Sequence, residues 1–123
     1  MDDDAKVEMQ LLESKVIAVV GLSPDPERPS HYVSKYLQEA GYRIIPVNPN
    51  LTSVLGETCY PDLKSIPIKV DMVDVFRRPE YTPDIVNDAV EIGVKFVWLQ
   101  DKVINNEAES IAESNGIPIV MDN

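Results

Sequence analysis

A single cysteine, Cys59, excludes an internal disulfide and leaves no metal-ligand spacing, as suits a reducing compartment. Its simplest place is as a small buried apolar side chain. Basic residues are also scarce. Eleven Lys and Arg against 21 Asp and Glu give a net charge of −10, which argues against a nucleic-acid partner, because a duplex is bound chiefly by neutralising its phosphates. A small polyanion is still admissible where the few cations gather. No apolar run approaches the roughly 20 residues needed to cross a bilayer. The opening Met-Asp-Asp-Asp is acidic where a secretory signal is basic. The expectation is a soluble, cytoplasmic protein with no membrane partner. No repeat, low-complexity tract or long linker divides the chain, and 123 residues with 44% hydrophobic content support one core and not two. Residues 1–123 therefore read as one domain.

What is present is an alternation of two textures. Residues 4–13 place Val7, Leu11 and Leu12 at helical spacing, so 1–14 reads as an amphipathic helix laid on the domain. KVIAVVG (15–21) is a short, continuous, β-branched run of the kind buried on both faces of a sheet. The same texture returns at 43–48, 71–76, 94–99 and 117–121, giving five strands. Between them, Ser30 is placed to cap a helix carrying Val33, Tyr36, Leu37 and Ala40 and ending at Gly41. Thr82 and Pro83 form a cap and first-turn pair for a helix ending at Gly93, and 106–115 makes another ending at Gly116. Residues 51–67 have no clean period and are expected to hold short turns.

Buried strands alternating with helices predict an α/β fold: a Rossmann-like three-layer sandwich around a five-stranded parallel sheet with right-handed crossovers. The expected strand order is 3-2-1-4-5, with its switch point between strands one and four. Ligands of such sheets bind beyond the carboxyl ends of the strands, so the loops opening at Gly21, Asn48, Phe76 and Gln100 are where function is sought.

The first loop, GLSPDPERPS, has one glycine where the dinucleotide fingerprint has three. Gly21 permits a tight turn, the helix beginning near Ser30 offers free N–H groups, and Arg28 suits a phosphate; together these make an anion site. The prolines at 24, 26 and 29 restrict the loop. The competing reading is a proline-rich helix entry with a solvated arginine. In the second loop, Asn48 stands where NAD-binding domains carry an acidic residue for the ribose hydroxyls. It can bond a ribose or adenine edge, or simply fix a turn with Pro49. In the third, Phe76 can flank a purine and Arg77 or Arg78 can answer a phosphate; against this stand core packing and surface ion pairs with Glu80.

Taken together, VIAVVGLSPDPERPSHYVSKYLQEAGYRIIPVNPN, LGETCYPDL, VDMVDVFRRPE, VKFVWLQ and IPIVMD resemble the small stand-alone CoA-binding domain proteins, relatives of the CoA-binding domain of the succinyl-CoA synthetase alpha subunit. The resemblance runs from about residue 15 to the terminus. It implies a Rossmann-like fold whose ligand is coenzyme A or an acyl-CoA. By it, Gly21, Ser23, Arg28 and Ser30 cradle the pyrophosphate; His31, from its own place in the first turn of the helix, contacts a phosphate or only packs. By the same resemblance, Asn48, Pro49 and Asn50 border the adenosine 3′-phosphate, Phe76, Arg77 and Pro79 line the nucleotide cleft, Leu99 and Gln100 lie under the rest, and with Asn50 not basic the 3′-phosphate falls to Arg77, Arg78 or Lys102. The chain departs from the family pattern at Asn50, where relatives commonly carry a basic residue, and at Lys102, where many carry glycine.

No nucleophile–base constellation is found. Asp71 and Asp74 lie at i, i+3 on a strand and so face opposite ways, leaving Asp74 to orient a loop. The expectation is a binding protein and not an enzyme: a sensor, a carrier or a ligase-associated subunit for CoA. An NAD(P)-binding oxidoreductase-type domain is the alternative, disfavoured by Asn48 and the missing glycines. Oligomeric state is not written in the pattern.

Overall fold

The β-branched runs pair into one sheet. A computed structural model of the chain describes residues 3–100 and 102–122; Met1, Asp2, Asp101 and Asn123 lie outside the described residues. In chain order the elements are α1 (Asp3–Leu12), β1 (Val16–Val20), α2 (Pro29–Glu39), β2 (Arg43–Val47), β3 (Ser53–Val54), β4 (Glu57–Thr58), β5 (Met72–Val75), α3 (Thr82–Glu91), β6 (Phe96–Leu99), α4 (Asn106–Ser114) and β7 (Ile119–Val120). Two 3₁₀ turns occupy Leu63–Ser65 and Pro79–Tyr81. The expected N-terminal helix over 1–14 is thus described from Asp3 onward.

The main sheet is parallel throughout, as expected, but runs β2-β1-β5-β6-β7. Counting only its five strands, that is 2-1-3-4-5, which corrects the expected 3-2-1-4-5. The reason lies in the segment after β2. Tyr60 bridges to Val47, with its N–H donating to the Pro46 carbonyl at 3.0 Å and its carbonyl accepting from Asn48 N–H at 2.9 Å. The outer edge of β2 is therefore taken by its own return loop, and β5 joins the free edge of β1. Asp71 holds that junction: its carboxylate accepts the N–H groups of Lys15 at 2.9 Å and Val16 at 3.0 Å.

Alternation along the strands sorts the core into two layers. Ala18, Val20, Val73, Val75, Val97 and Leu99 pack with Val86 and Ala89 of α3 and Ala108 and Ala112 of α4. Ile17, Val19, Ile44, Met72, Phe96 and Trp98 pack with Leu37 of α2 and with Val7 and Leu11 of α1. Burying each large side chain is worth about 1.5–3 kcal/mol, so these layers drive the fold. Among the described residues no helix is long and apolar enough to cross a membrane.

The expected caps shift by one or two residues. α2 is entered from Arg28, whose extended backbone (ψ 140°) is the cap without a side-chain bond, and Ser30 lies inside the first turn. Likewise α3 already includes Thr82, whose hydroxyl donates to the Pro79 carbonyl at 2.7 Å.

Candidate functional site

The corrected strand order keeps the switch point beside β1 and puts it between β1 and β5, with β2 on the opposite edge of β1. The loops leaving β1 and β5 thereby come side by side, and the loop leaving β2 flanks them. Gly21 sits at this meeting point. Its φ is +88°, and a Cβ on it would lie 2.7 Å from the Phe76 carbonyl oxygen and 3.0 Å from Arg77 Cδ. Only glycine allows the two loops to approach so closely.

Beyond Gly21 the loop is held by its own polar groups. Ser23 N–H donates to Ser30 Oγ at 2.9 Å, Asp25 N–H to Ser23 Oγ at 3.1 Å, and Glu27 N–H to Asp25 Oδ1 at 3.0 Å. His31 Nδ1 donates to the Ser23 carbonyl at 2.9 Å, which sets its tautomer. Ser30, buried and expected as a helix cap, instead folds the loop back onto α2. The result is an open cleft of about 310 Å³ lined by Gly21, Ser23, Arg28, Pro29, Ser30 and Phe76. The exposed Arg28 side chain and the first turn of α2 bring a guanidinium and the positive end of a helix dipole to it.

A second cleft, of about 230 Å³, lies on the other side of the Phe76–Arg77 step. Its floor is apolar: Val20 and Val47 at the strand ends, Leu63, Ile85 of α3, and Pro49 and Pro61. Arg77 lies over the Tyr81 ring, 4.6 Å from its centroid, a cation–π contact that holds the guanidinium at the cleft wall. Asp62, Asp84 and Asp88 complete the lining.

Of the sequence-predicted residues, Gly21, Ser23, Arg28, Ser30 and Phe76 meet in the first cleft, and Pro49 and Arg77 in the second. The others line neither. Asn48 is a loop clamp: its Nδ2 donates to the Leu22 carbonyl at 3.1 Å and its Oδ1 accepts Asn50 N–H at 2.9 Å. Arg78 is exposed at the entry to the 3₁₀ turn that Pro79 opens. Leu99 is fully buried in the core, and Gln100 is turned inward, donating from Nε2 to Asp74 Oδ1 at 2.5 Å. Asp74 does orient the loop after β6, through that bond. It is wholly buried, and desolvation lifts its pKa to about 7 against the lowering effect of Gln100. Burial likewise raises the Cys59 thiol, against a weaker opposing backbone hydrogen bond at Asn48.

Sequence reasoning missed Tyr81, Asp84, Ile85 and Asp88, although their spacing marks one helical face of the segment entering α3. It also missed Pro61, Asp62 and Leu63, which come from the stretch without a period. Among the described residues no group of three His, Cys, Asp or Glu is placed to hold a metal ion.

The CoA binding domain family matches residues 15–123. The uncharacterized protein YneT of Bacillus subtilis is 42% identical, over 99% of this chain and 92% of that protein. A solved structure described as a hypothetical protein from Pyrococcus horikoshii OT3 superposes with a TM-score of 0.94 at 41% identity, covering 100% of this chain and 86% of that one. The ADP-forming acetate–CoA ligase II of Archaeoglobus fulgidus is 30% identical over 84% of this chain, which spans only 16% of that ligase. Lys102, where the resemblance has glycine, has a φ of +65°, a backbone position that glycine takes most readily.

Proposed function

The chain belongs to the CoA-binding domain family, and from that premise we propose that it binds coenzyme A or an acyl-CoA non-covalently. The reading gives it no chemistry of its own. It acts in the cytoplasm as a sensor or carrier, or as the CoA-holding part of a larger ligase.

The observation that carries the reading is the close approach at Gly21, which joins two clefts of complementary character. The cleft with Arg28, Ser23 and the first turn of α2 suits a diphosphate, because a guanidinium and the positive end of a helix dipole answer anionic oxygens. The apolar slot beyond Arg77 suits a purine. The residues present therefore fit an adenosine diphosphate, the part of CoA that such a domain grips. The pantetheine arm supplies the thiol when the coenzyme is bound. Nothing favours a nicotinamide cofactor, since both ends of the Asn48 side chain are already engaged with the backbone.

Isothermal titration with CoA, NAD and NADP side by side tests the proposal. Heat with CoA and none with the nicotinamides is the expected result; binding of NAD with silence toward CoA would reverse it. In the same titration Arg28→Ala should weaken CoA binding by about 1.5–3 kcal/mol, the worth of a charge-assisted hydrogen bond. An unchanged dissociation constant would return Arg28 to a solvated surface charge.

A further inference from the structure

The two clefts differ in charge as well as in polarity. In the cleft beside α2 the charged lining residue is Arg28. In the apolar slot three carboxylates, Asp62, Asp84 and Asp88, face one guanidinium, Arg77, which is stacked on Tyr81. The nearby cation Lys64 is already spent: its ammonium lies 2.8 Å from Glu91 and 3.5 Å from Asp88. Asp62 is fixed in place by Ser65, whose N–H and hydroxyl donate to its Oδ1 at 2.8 and 2.7 Å. Asp84, exposed in the first turn of α3, has no ion pair among the described residues. The loop after β2, Asn48–Pro49–Asn50, brings no cation to the slot's edge, and the Asn50 N–H is already taken by the Asn48 side chain.

We infer that the slot selects against a phosphate on the ribose, so that the preferred ligand is an adenosine diphosphate bearing the pantetheine arm without the 3′-phosphate. The inference rests on the proposal that this chain binds CoA. It sets that ligand's charge pattern: the diphosphate lies where a guanidinium meets the positive end of a helix dipole, and the nucleoside lies among carboxylates. A ribose phosphate adds close to two negative charges to a wall whose three carboxylates outnumber its one guanidinium, with Asp88 sharing the Lys64 ammonium with Glu91. Repulsion of this kind is how a site rejects one of two ligands that it otherwise holds alike. Its range is set by screening, so it weakens as ionic strength rises.

The experiment is titration of the full chain with CoA and with dephospho-CoA, at low and at high salt. At low salt dephospho-CoA binds about three- to tenfold tighter, and at about 0.5 M salt, where the screening length is only a few ångströms, the two constants converge. Asp84→Asn moves the ratio at low salt toward CoA by about two- to threefold, by removing one of the facing charges. CoA binding tighter than dephospho-CoA at low salt overturns the selectivity and leaves the CoA proposal standing. A ratio unmoved by Asp84→Asn overturns the assignment to this wall. Silence toward both ligands overturns the CoA proposal itself, and the selectivity with it.

Discussion

At residue 21 any side chain would have to share space with the Phe76 carbonyl oxygen, 2.7 Å from where its Cβ would lie, on a backbone already at φ +88°. Gly21→Ala should therefore cost about 2–3 kcal/mol, the left-handed penalty plus the shift of one loop against another. A urea titration reads this as a lower midpoint with an unchanged slope. A midpoint matching the parent protein would mean that the loops part freely and the cleft is not preorganised. Gly21 was legible because it ends an apolar run and opens a helix entry. The neighbouring serine was legible in place but not in role. Ser30 carries the chemistry of a cap, yet Pro29 after an extended Arg28 starts the helix earlier, and the hydroxyl is left to accept the Ser23 N–H. Asn48 shows the same limit: a turn-fixing role was one of its two readings, while its bond across to Leu22 depends on a loop remote in sequence.

Elements were legible in proportion to the length of their pattern. The continuous β-branched runs became β1, β2, β5, β6 and β7, and the amphipathic stretches became helices. The hairpin of β3 and β4 was not legible. Each strand has two residues, and the turn between them places Leu55 at φ +54°, a conformation with no signature for a γ-branched side chain. The cap of α4 was missed as well, although Asn105 stands where a cap belongs. Its Oδ1 accepts Ala108 N–H at 2.9 Å, while its Nδ2 donates to the Pro79 carbonyl at 3.0 Å and so ties α4 to the turn beside Arg78. Asn105→Ala should destabilise the protein by about 1–2 kcal/mol, the usual worth of an N-cap with a further bond lost. Asn105→Asp, which keeps the cap and loses the Nδ2 donor, should recover most of it if the cap dominates. Equal loss in both variants would assign the effect to the tie with Pro79.

For the molecule as a whole, the class of fold was legible and the order of its strands was not, because both 3-2-1-4-5 and 2-1-3-4-5 obey the same crossover rule. Tyr60 on the edge of β2 and Asp71, which precedes β5 and binds the start of β1, decide between them, and both act through contacts distant in sequence. The same order puts Asp74 in a central strand, opposite Trp98, within a layer that also buries Gln10 and Ser34. Among the described residues, Asp74 Oδ2, Trp98 Nε1, Ser34 Oγ and both ends of the Gln10 amide have no hydrogen-bond partner. A carboxylate in such a layer favours its proton, and burial accordingly raises Asp74 from 3.8 to about 7. A folded-state pKa above the unfolded one means that the native state binds the proton more tightly. The stability this contributes is complete below about pH 4 and is lost as pH rises through about 7. Asp71 acts in the opposite sense. Burial pushes its carboxyl up, but the N–H groups of Val16 and Lys15 and then the Lys95 and Lys69 charges outweigh it, so its contribution is lost as pH falls. Comparison with Asp74→Asn separates the two, since asparagine keeps the acceptor that Gln100 uses and carries no titration. Between pH 4 and 8 the parent protein should lose on the order of 4 kcal/mol relative to Asp74→Asn, each pKa unit being worth about 1.4 kcal/mol. Urea midpoints measured across that range give the difference curve. A flat curve would mean that Asp74 is charged in the native state and that this layer holds a compensating partner.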